Sequence, residues 1–287
     1  MTLPRPSVVL RALRPKQWVK NLLVAAAPIA AGVLDEAEVA WRTMAGIALF
    51  TTAAGATYLF NDAVDVELDR THPTKSMRPI AAGELDISTA RWLAAVLGFG
   101  SVIVGGALAW GLGVVLAVYL LINVWYSLGM KHIPYVELAA IASGFVLRAL
   151  AGGAVTSTPL SVWFVVVVCA GSLFVVAGKR GAELLRTGGD GGRDVLRYYS
   201  LKGLRLLRAV TASVAVVGYA LWVFAQEIAN GWLALLSLLP FAAAFARYSA
   251  DIEAGRGEDP EDFMLGDRVF AGLVLAWCVI YGLAVYG

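Results

Sequence analysis

Asn61-Asp62-Ala63-Val64-Asp65-Val66-Glu67-Leu68-Asp69 stands where a long apolar segment gives way to a highly charged loop. Read as helix, positions 62, 65 and 69 fall at i, i+3 and i+7, which predicts three carboxylates on one face. Left alone they repel one another, and at a membrane surface they need a cation among them. Every potential ligand is oxygen, so a hard divalent ion fits best. Magnesium takes one or two protein carboxylates and fills its shell with water and substrate phosphates. The stretch therefore reads as a socket for a magnesium-bound diphosphate. Asp62, Asp65 and Asp69 are its expected metal ligands and catalytic carboxylates, with Asn61 bonding an oxygen or a water. Manganese is the alternative ion.

Composition fixes the setting. The chain has 287 residues, of which 59% are hydrophobic and 15% charged, with a mean hydropathy of +0.73. A soluble domain carries about 25% charge, so this is a polytopic membrane protein. Nine candidate spans follow, at roughly 20–34, 43–61, 91–109, 112–128, 136–155, 160–178, 209–225, 232–249 and 269–286. Several approach the lower limit of about 17 residues for crossing a bilayer, and the first is the weakest. Arg5, Arg11, Arg14, Lys16 and Lys20 resemble a signal n-region, but no convincing cleavage site follows, so the segment reads as a retained first helix. Only Trp110-Gly111 separates the third and fourth spans, which suits a long kinked hairpin. Cys169 and Cys278 lie in apolar segments and form neither a disulfide framework nor a zinc pattern. The expectation is an all-α bundle forming a single domain over 1–287, with no soluble domain and no nucleic-acid partner.

The basic residues orient it. With the N-terminus in the cytoplasm, all but two of the 23 Lys and Arg residues fall on the cytoplasmic side. Arg42 is outside, and Arg148 lies within the fifth span. The positive-inside rule predicts this asymmetry. The acidic cluster and nearly all other polar residues then face the cytoplasm. Arg148 is expensive to bury unpaired, and a carboxylate in the bundle interior is its expected partner.

The loop continues as Arg70-Thr71-His72-Pro73-Thr74-Lys75-Ser76-Met77-Arg78-Pro79-Ile80-Ala81-Ala82-Gly83. Two prolines and a glycine predict an ordered, non-helical turn. Lys75 and Arg78 lie just beyond the acids. Salt bridging is the plain explanation of such a pairing. Acid for metal beside base for phosphate is also the division of labour that a metal–diphosphate site needs.

With those residues in view, the chain resembles the UbiA prenyltransferase superfamily. The resemblance rests on Asn-Asp-x-x-Asp-x-x-x-Asp followed by His-Pro-x-Lys-x-x-Arg-Pro-Ile-Ala-x-Gly. It is closer still to the actinobacterial branch that transfers phosphoribosyl to decaprenyl phosphate. That similarity adds Arg14-Pro15-Lys16-Gln17-Trp18-Val19-Lys20-Asn21, Tyr126 to His132, Arg148 to Gly153, Ala177 to Arg180 with Glu183, and Arg247-Tyr248 through Asp251. It covers essentially the whole chain. One departure stands out. Aromatic prenyltransferases of the superfamily carry a second aspartate-rich motif after span 6, where this chain has Gly178-Lys179-Arg180-Gly181-Ala182-Glu183, then Asp190 and Asp194.

The resemblance implies glycosyl transfer in the plasma membrane, opening the arabinose-donor pathway of cell-wall arabinan. The donor is 5-phosphoribosyl 1-diphosphate, the acceptor a long polyprenyl phosphate reached from the membrane lipid, and diphosphate leaves. Lys75 and Arg78 are expected on phosphates. Lys16, Lys20 and Asn21 would close the site from the start of span 1, unless the two lysines merely anchor the helix. Tyr126 and Lys131 would bind donor phosphate or a ribose hydroxyl, with an interfacial-belt role as the equal alternative for Tyr126. Lys179, Arg180 and Glu183 would complete the rim, the two cations serving the sugar 5-phosphate. His72 and His132 are the only histidines, and an anionic phosphate nucleophile needs no strong base. A homo-oligomer is compatible with this reading. Two alternatives stand beside it: a transfer of polyprenyl from its diphosphate to an aromatic acceptor, and a transporter or flippase. The concentration of charge at one face disfavours the transporter.

Overall fold

The computed structural model describes residues 5–188, 194–226, 228, 230–255 and 266–287. Every regular element among them is helical. The chain divides into two compact units: Met1–Lys131 with Leu147–Thr158, and His132–Val146 with Pro159–Gly287.

The first unit holds α1 (Pro6–Ala12), a 3-10 stretch (Pro15–Ala25), α2 (Ala26–Ala30), α3 (Ala37–Val64), α4 (Val66–Thr71), α5 (Ile87–Leu108), α6 (Trp110–Leu128) and the later part of α7 (Val136–Thr156). Half of the most apolar window of α3 is buried, as is that of α7, against 22% for α5. Its small residues Ala53 and Ala54 let Phe50 pack with Leu112, Leu116 and Tyr119 of α6 and with Ala151 and Val155 of α7. A second cluster joins Val8, Ala12, Leu59, Ala63, Ile80 and Leu85, and so ties α1 and the 72–86 loop to the end of α3. Asp86 caps α5 by accepting from the backbone N–H groups of Ser88 (3.0 Å) and Thr89 (3.2 Å). The Ser88 hydroxyl bond, with the Thr89 N–H, holds the Asp86 carboxyl below its usual range.

Eight helices among the described residues are long and apolar enough to cross a membrane, all within the predicted set. The ninth predicted span, 20–34, takes a different form. The 3-10 stretch and α2 run antiparallel along α3: Leu13 enters the notch at Gly55, Asn21 donates to Thr51 Oγ1 (3.0 Å), and Val24 lies beside Gly46. At about 2.0 Å per residue for 3-10 and 1.5 Å for α, the two pieces together reach roughly 30 Å, with Lys16 and Lys20 inside the 3-10 part. The segment is therefore not one of the eight helices long and apolar enough to cross a membrane. The hairpin after span 3 is also seen. Ala109 is extended between α5 and α6, and a Cβ on Gly113 would sit 2.7 Å from Gly106 Cα.

The second unit holds the start of α7, α8 (Val162–Thr187), a 3-10 turn (Asp194–Tyr198), α9 (Leu201–Ala225), α10 (Gly231–Leu236), α11 (Leu238–Glu253) and α12 (Arg268–Tyr286). Ser161, Ser200 and Asp267 cap α8, α9 and α12. Gly188, at φ +63°, closes α8 in the left-handed region. An aromatic core of Tyr219, Trp222, Phe241, Trp277 and Tyr281 joins α9, α11 and α12. Only 11% of the α12 window is buried, so this helix presents a nearly all-apolar outer surface.

Candidate active site

The first unit gathers charge at the end of α3. The helix stops at Val64, Asp65 adopts φ −90° and ψ 9°, and α4 starts at Val66. This break corrects the expectation that Asp62, Asp65 and Asp69 share one helix face. Asp62 and Asp69 are buried (3% and 2% exposed) and converge on a single atom. Nη1 of Arg78 donates to Oδ1 of Asp62 at 3.0 Å and to Oδ2 of Asp69 at 2.6 Å. Nη2 of Arg14 donates to the same Asp62 oxygen. Asp65 instead accepts from Lys131, just past the end of α6. Among the described residues, no group of three acids, histidines or cysteines is placed to hold one ion. The arrangement is a pair of carboxylates plus a separate acid–lysine pair. The pair still suits magnesium, which needs only one or two protein carboxylates when substrate phosphates supply the rest.

Asn61 accepts a hydrogen bond from Ser127 Oγ (3.1 Å), which fixes its side chain one turn before Asp65. Lys75 is half-buried on the same loop as Arg78, and Tyr126 is half-buried at the end of α6. A cleft of about 250 Å³ opens beside Asp62, lined by Arg11, Arg14 and Arg78 with Thr74 and Met77. His72 is exposed, and its Nδ1 accepts from the backbone N–H groups of Thr74 and Lys75 at 3.3 Å, capping the loop.

Arg14, which stands in the Arg14-to-Asn21 motif without an expected role, also reaches this cluster. Its backbone is left-handed (φ 53°, ψ 68°), a conformation costing a non-glycine residue about 1–3 kcal/mol. Pro15 disfavours the right-handed helical alternative. The side chain lies over the Tyr58 ring, 5.0 Å from its centroid, and reaches Asp62, one turn further along α3. Tyr58 and Asp62 are an i, i+4 pair, so one helix face receives the whole guanidinium. A lone non-glycine residue before proline gives no sequence signal for such a turn.

The other residues of that motif divide by role. Lys16 is exposed. Lys20 donates to Gln17 Oε1 at 2.6 Å. Asn21 is fully buried, and its Oδ1 accepts from Nε of Arg148 at 2.8 Å. Arg148 also reaches Tyr119 OH (3.4 Å) and packs over the rings of Phe50 and Tyr119. An amide oxygen and two aromatic faces thus stand among the partners of this buried guanidinium.

The second unit holds the basic motif. Arg180 is 1% exposed and grips Glu137 with two bonds, from Nε (2.7 Å) and Nη2 (2.6 Å). Its Nη1 donates to Glu183 at 2.5 Å. Tyr199 OH adds a 3.3 Å bond to Glu137 and accepts from the backbone N–H of Tyr135 (2.8 Å). Burial, aided by the Glu137 charge, pushes the Tyr199 phenol up to about 12. In this structure the guanidinium of Arg180 is committed to two carboxylates. Lys179 is half-buried one position earlier on α8. Asp190 lies outside the described residues, as does the side chain of Asp194. Glu137 and Tyr199 carry no motif, and their separation from Arg180 in the chain hides the contact.

Apolar helices of membrane-spanning length, with paired carboxylates and guanidinium groups at the end of α3, suit a membrane-embedded transferase acting on charged substrates. The chain belongs to the UbiA prenyltransferase family, which its residues 22–274 match. It is 42% identical over 296 residues to the decaprenyl-phosphate phosphoribosyltransferase of Mycolicibacterium smegmatis, covering 98% of this chain and 93% of that one. It is 43% identical to the enzyme of that name from Mycobacterium tuberculosis (H37Rv), over 96% of this chain and 94% of the relative. Among solved structures it is similar to a UbiA homolog from Archaeoglobus fulgidus bound to GPP and Mg2+. That likeness has a TM-score of 0.74 at 16% identity, over 96% and 98% of the two chains, and it establishes the fold.

Proposed function

We propose that the protein transfers 5-phosphoribosyl from 5-phosphoribosyl 1-diphosphate to a long polyprenyl phosphate, decaprenyl phosphate in its relatives' name, and releases diphosphate. The observation that carries this reading is the near full-length match, at 42–43% identity, to enzymes named for that activity. The geometry supports it: the converging oxygens of Asp62 and Asp69 stand beside cations suited to phosphate. The whole chain acts as one transferase in the plasma membrane, with its polar end in the cytoplasm, as its basic residues indicate.

Asp62 and Asp69 would hold a divalent ion, which supplies charge neutralisation of the leaving diphosphate. Asp65, held by Lys131, sits next to that pair in the chain and orders water or substrate oxygen there. Arg78, Arg14 and Lys75 bind phosphate oxygens through charge-assisted hydrogen bonds. The acceptor phosphate is an anion and attacks the ribose C1 without a general base, so His72 keeps a loop-capping role. Developing positive charge at an anomeric carbon is stabilised by the surrounding carboxylates and phosphates. Lys179 serves the sugar 5-phosphate, while Arg180 holds its helix in place.

Donor choice tests the reading. The purified protein, given decaprenyl phosphate, magnesium and radiolabelled phosphoribosyl diphosphate, should yield labelled lipid. Labelled prenyl diphosphate with 4-hydroxybenzoate should yield nothing. Prenylated 4-hydroxybenzoate would instead favour the aromatic prenyltransferase reading.

A further inference from the structure

We propose that Arg14 and Arg78 form an exchange latch on the carboxylate pair, so that metal ion and diphosphate bind together and each binds poorly alone. The proposal rests on the reading that Asp62 and Asp69 hold a divalent ion. It assigns Arg14, for which that reading supplies only a phosphate contact, the further task of coupling the two ligands.

The argument begins with who holds the oxygens. Oδ1 of Asp62 accepts from both Arg14 and Arg78, and Oδ2 of Asp69 accepts from Arg78. These are the atoms a hard cation would take. The two carboxylates are almost wholly buried, and a buried charge is costly without a partner. A metal ion arriving alone must therefore displace guanidinium groups and strand them. A diphosphate arriving alone must draw the guanidinium groups away and strand the carboxylates. When the two arrive together, the ion takes the carboxylates and the phosphate oxygens take the guanidinium groups, and every charge keeps a partner.

The structure gives the arginines room for this exchange. Their side chains are 28% and 25% exposed, against 3% for each carboxylate. Both line the cleft beside Asp62, so each guanidinium can turn into it while its backbone stays fixed. The Arg14 backbone is pinned by Leu13 in the Gly55 notch and by the N–H of Gln17, which donates to the Arg14 carbonyl at 2.9 Å. The cation is thus delivered from a fixed point.

Three calorimetric titrations of the detergent-purified full chain test the latch, with manganese alone, pyrophosphate alone and the preformed manganese–pyrophosphate complex. In the wild type the complex should bind at least about tenfold more tightly than either component, a coupling of ordinary size. Arg14→Gln frees one Asp62 contact. Manganese alone should then bind more tightly than in the wild type, the complex more weakly, and their ratio should collapse toward one. Arg78→Gln should act in the same direction and serves if Arg14→Gln does not fold. An unchanged ratio in a folded variant overturns the latch and leaves the transferase reading intact. Failure of the wild type to bind manganese in any arm overturns the metal-site reading and the latch with it.

Discussion

Arg180 and Glu137 are 1% and 0% exposed, and each is costly without the other. Removing one member of a buried ion pair leaves a stranded charge worth about 3–5 kcal/mol. Arg180→Ala should therefore lose folded protein, seen as a large drop in melting temperature or in monodisperse yield. Lys179→Ala should keep the fold and chiefly raise the KM for the phosphoribosyl donor. The same neighbourhood has a pH signature. Burial raises the Tyr199 phenol from 10.0 to about 12, so the folded state holds that proton more tightly than the unfolded state. The stability it lends is complete below pH 10.0 and is lost as pH rises toward about 12. Tyr199→Phe should flatten the stability profile in that window, as thermal melts across the alkaline range would reveal.

Among the elements, the 3-10 stretch and the residue before it are seated against glycines. A Cβ on Gly152 would sit 1.9 Å from the carbonyl oxygen of Val24, a backbone atom that cannot step aside. At Gly55 the clash is with Leu13 Cδ2 at 2.7 Å, the movable end of a side chain. Overpacking costs about 1–3 kcal/mol when neighbours can yield and more when they cannot. Gly152→Ala should thus lower the melting temperature further than Gly55→Ala. The sequence shows how far such elements can be read in advance. Runs of apolar residues located all eight long helices, because lipid demands length and hydropathy and little else. The pairing of Asp65 with Lys131 and the 3-10 form of the segment before α3 escaped it, since both involve partners brought by folding: Lys131 in one case, the α3 notches in the other. Within the site, Asp62, Asp69 and Arg78 were legible as a local motif. Arg14 reaches the same carboxylate from 48 positions away, and no local spacing announces that.

For the whole molecule, the proposed function links orientation and chemistry: the charged end of α3 would face the side that holds a soluble, highly charged donor. Tyr198 is 68% exposed in the loop after α8. A single cysteine there, with Cys169 and Cys278 replaced, should react with a membrane-impermeant reagent only after cells are opened. Reaction in intact cells would reverse the orientation. The central claim is that this protein couples a metal-bound diphosphate leaving group to a lipid phosphate nucleophile. Its most direct test is diphosphate release by the purified chain from phosphoribosyl diphosphate. Release should require both polyprenyl phosphate and a divalent ion, should match ribosylated lipid one for one, and should vanish in Asp62→Asn. Release that continues undiminished in excess chelator, or that proceeds at the same rate with no lipid acceptor, would contradict the account.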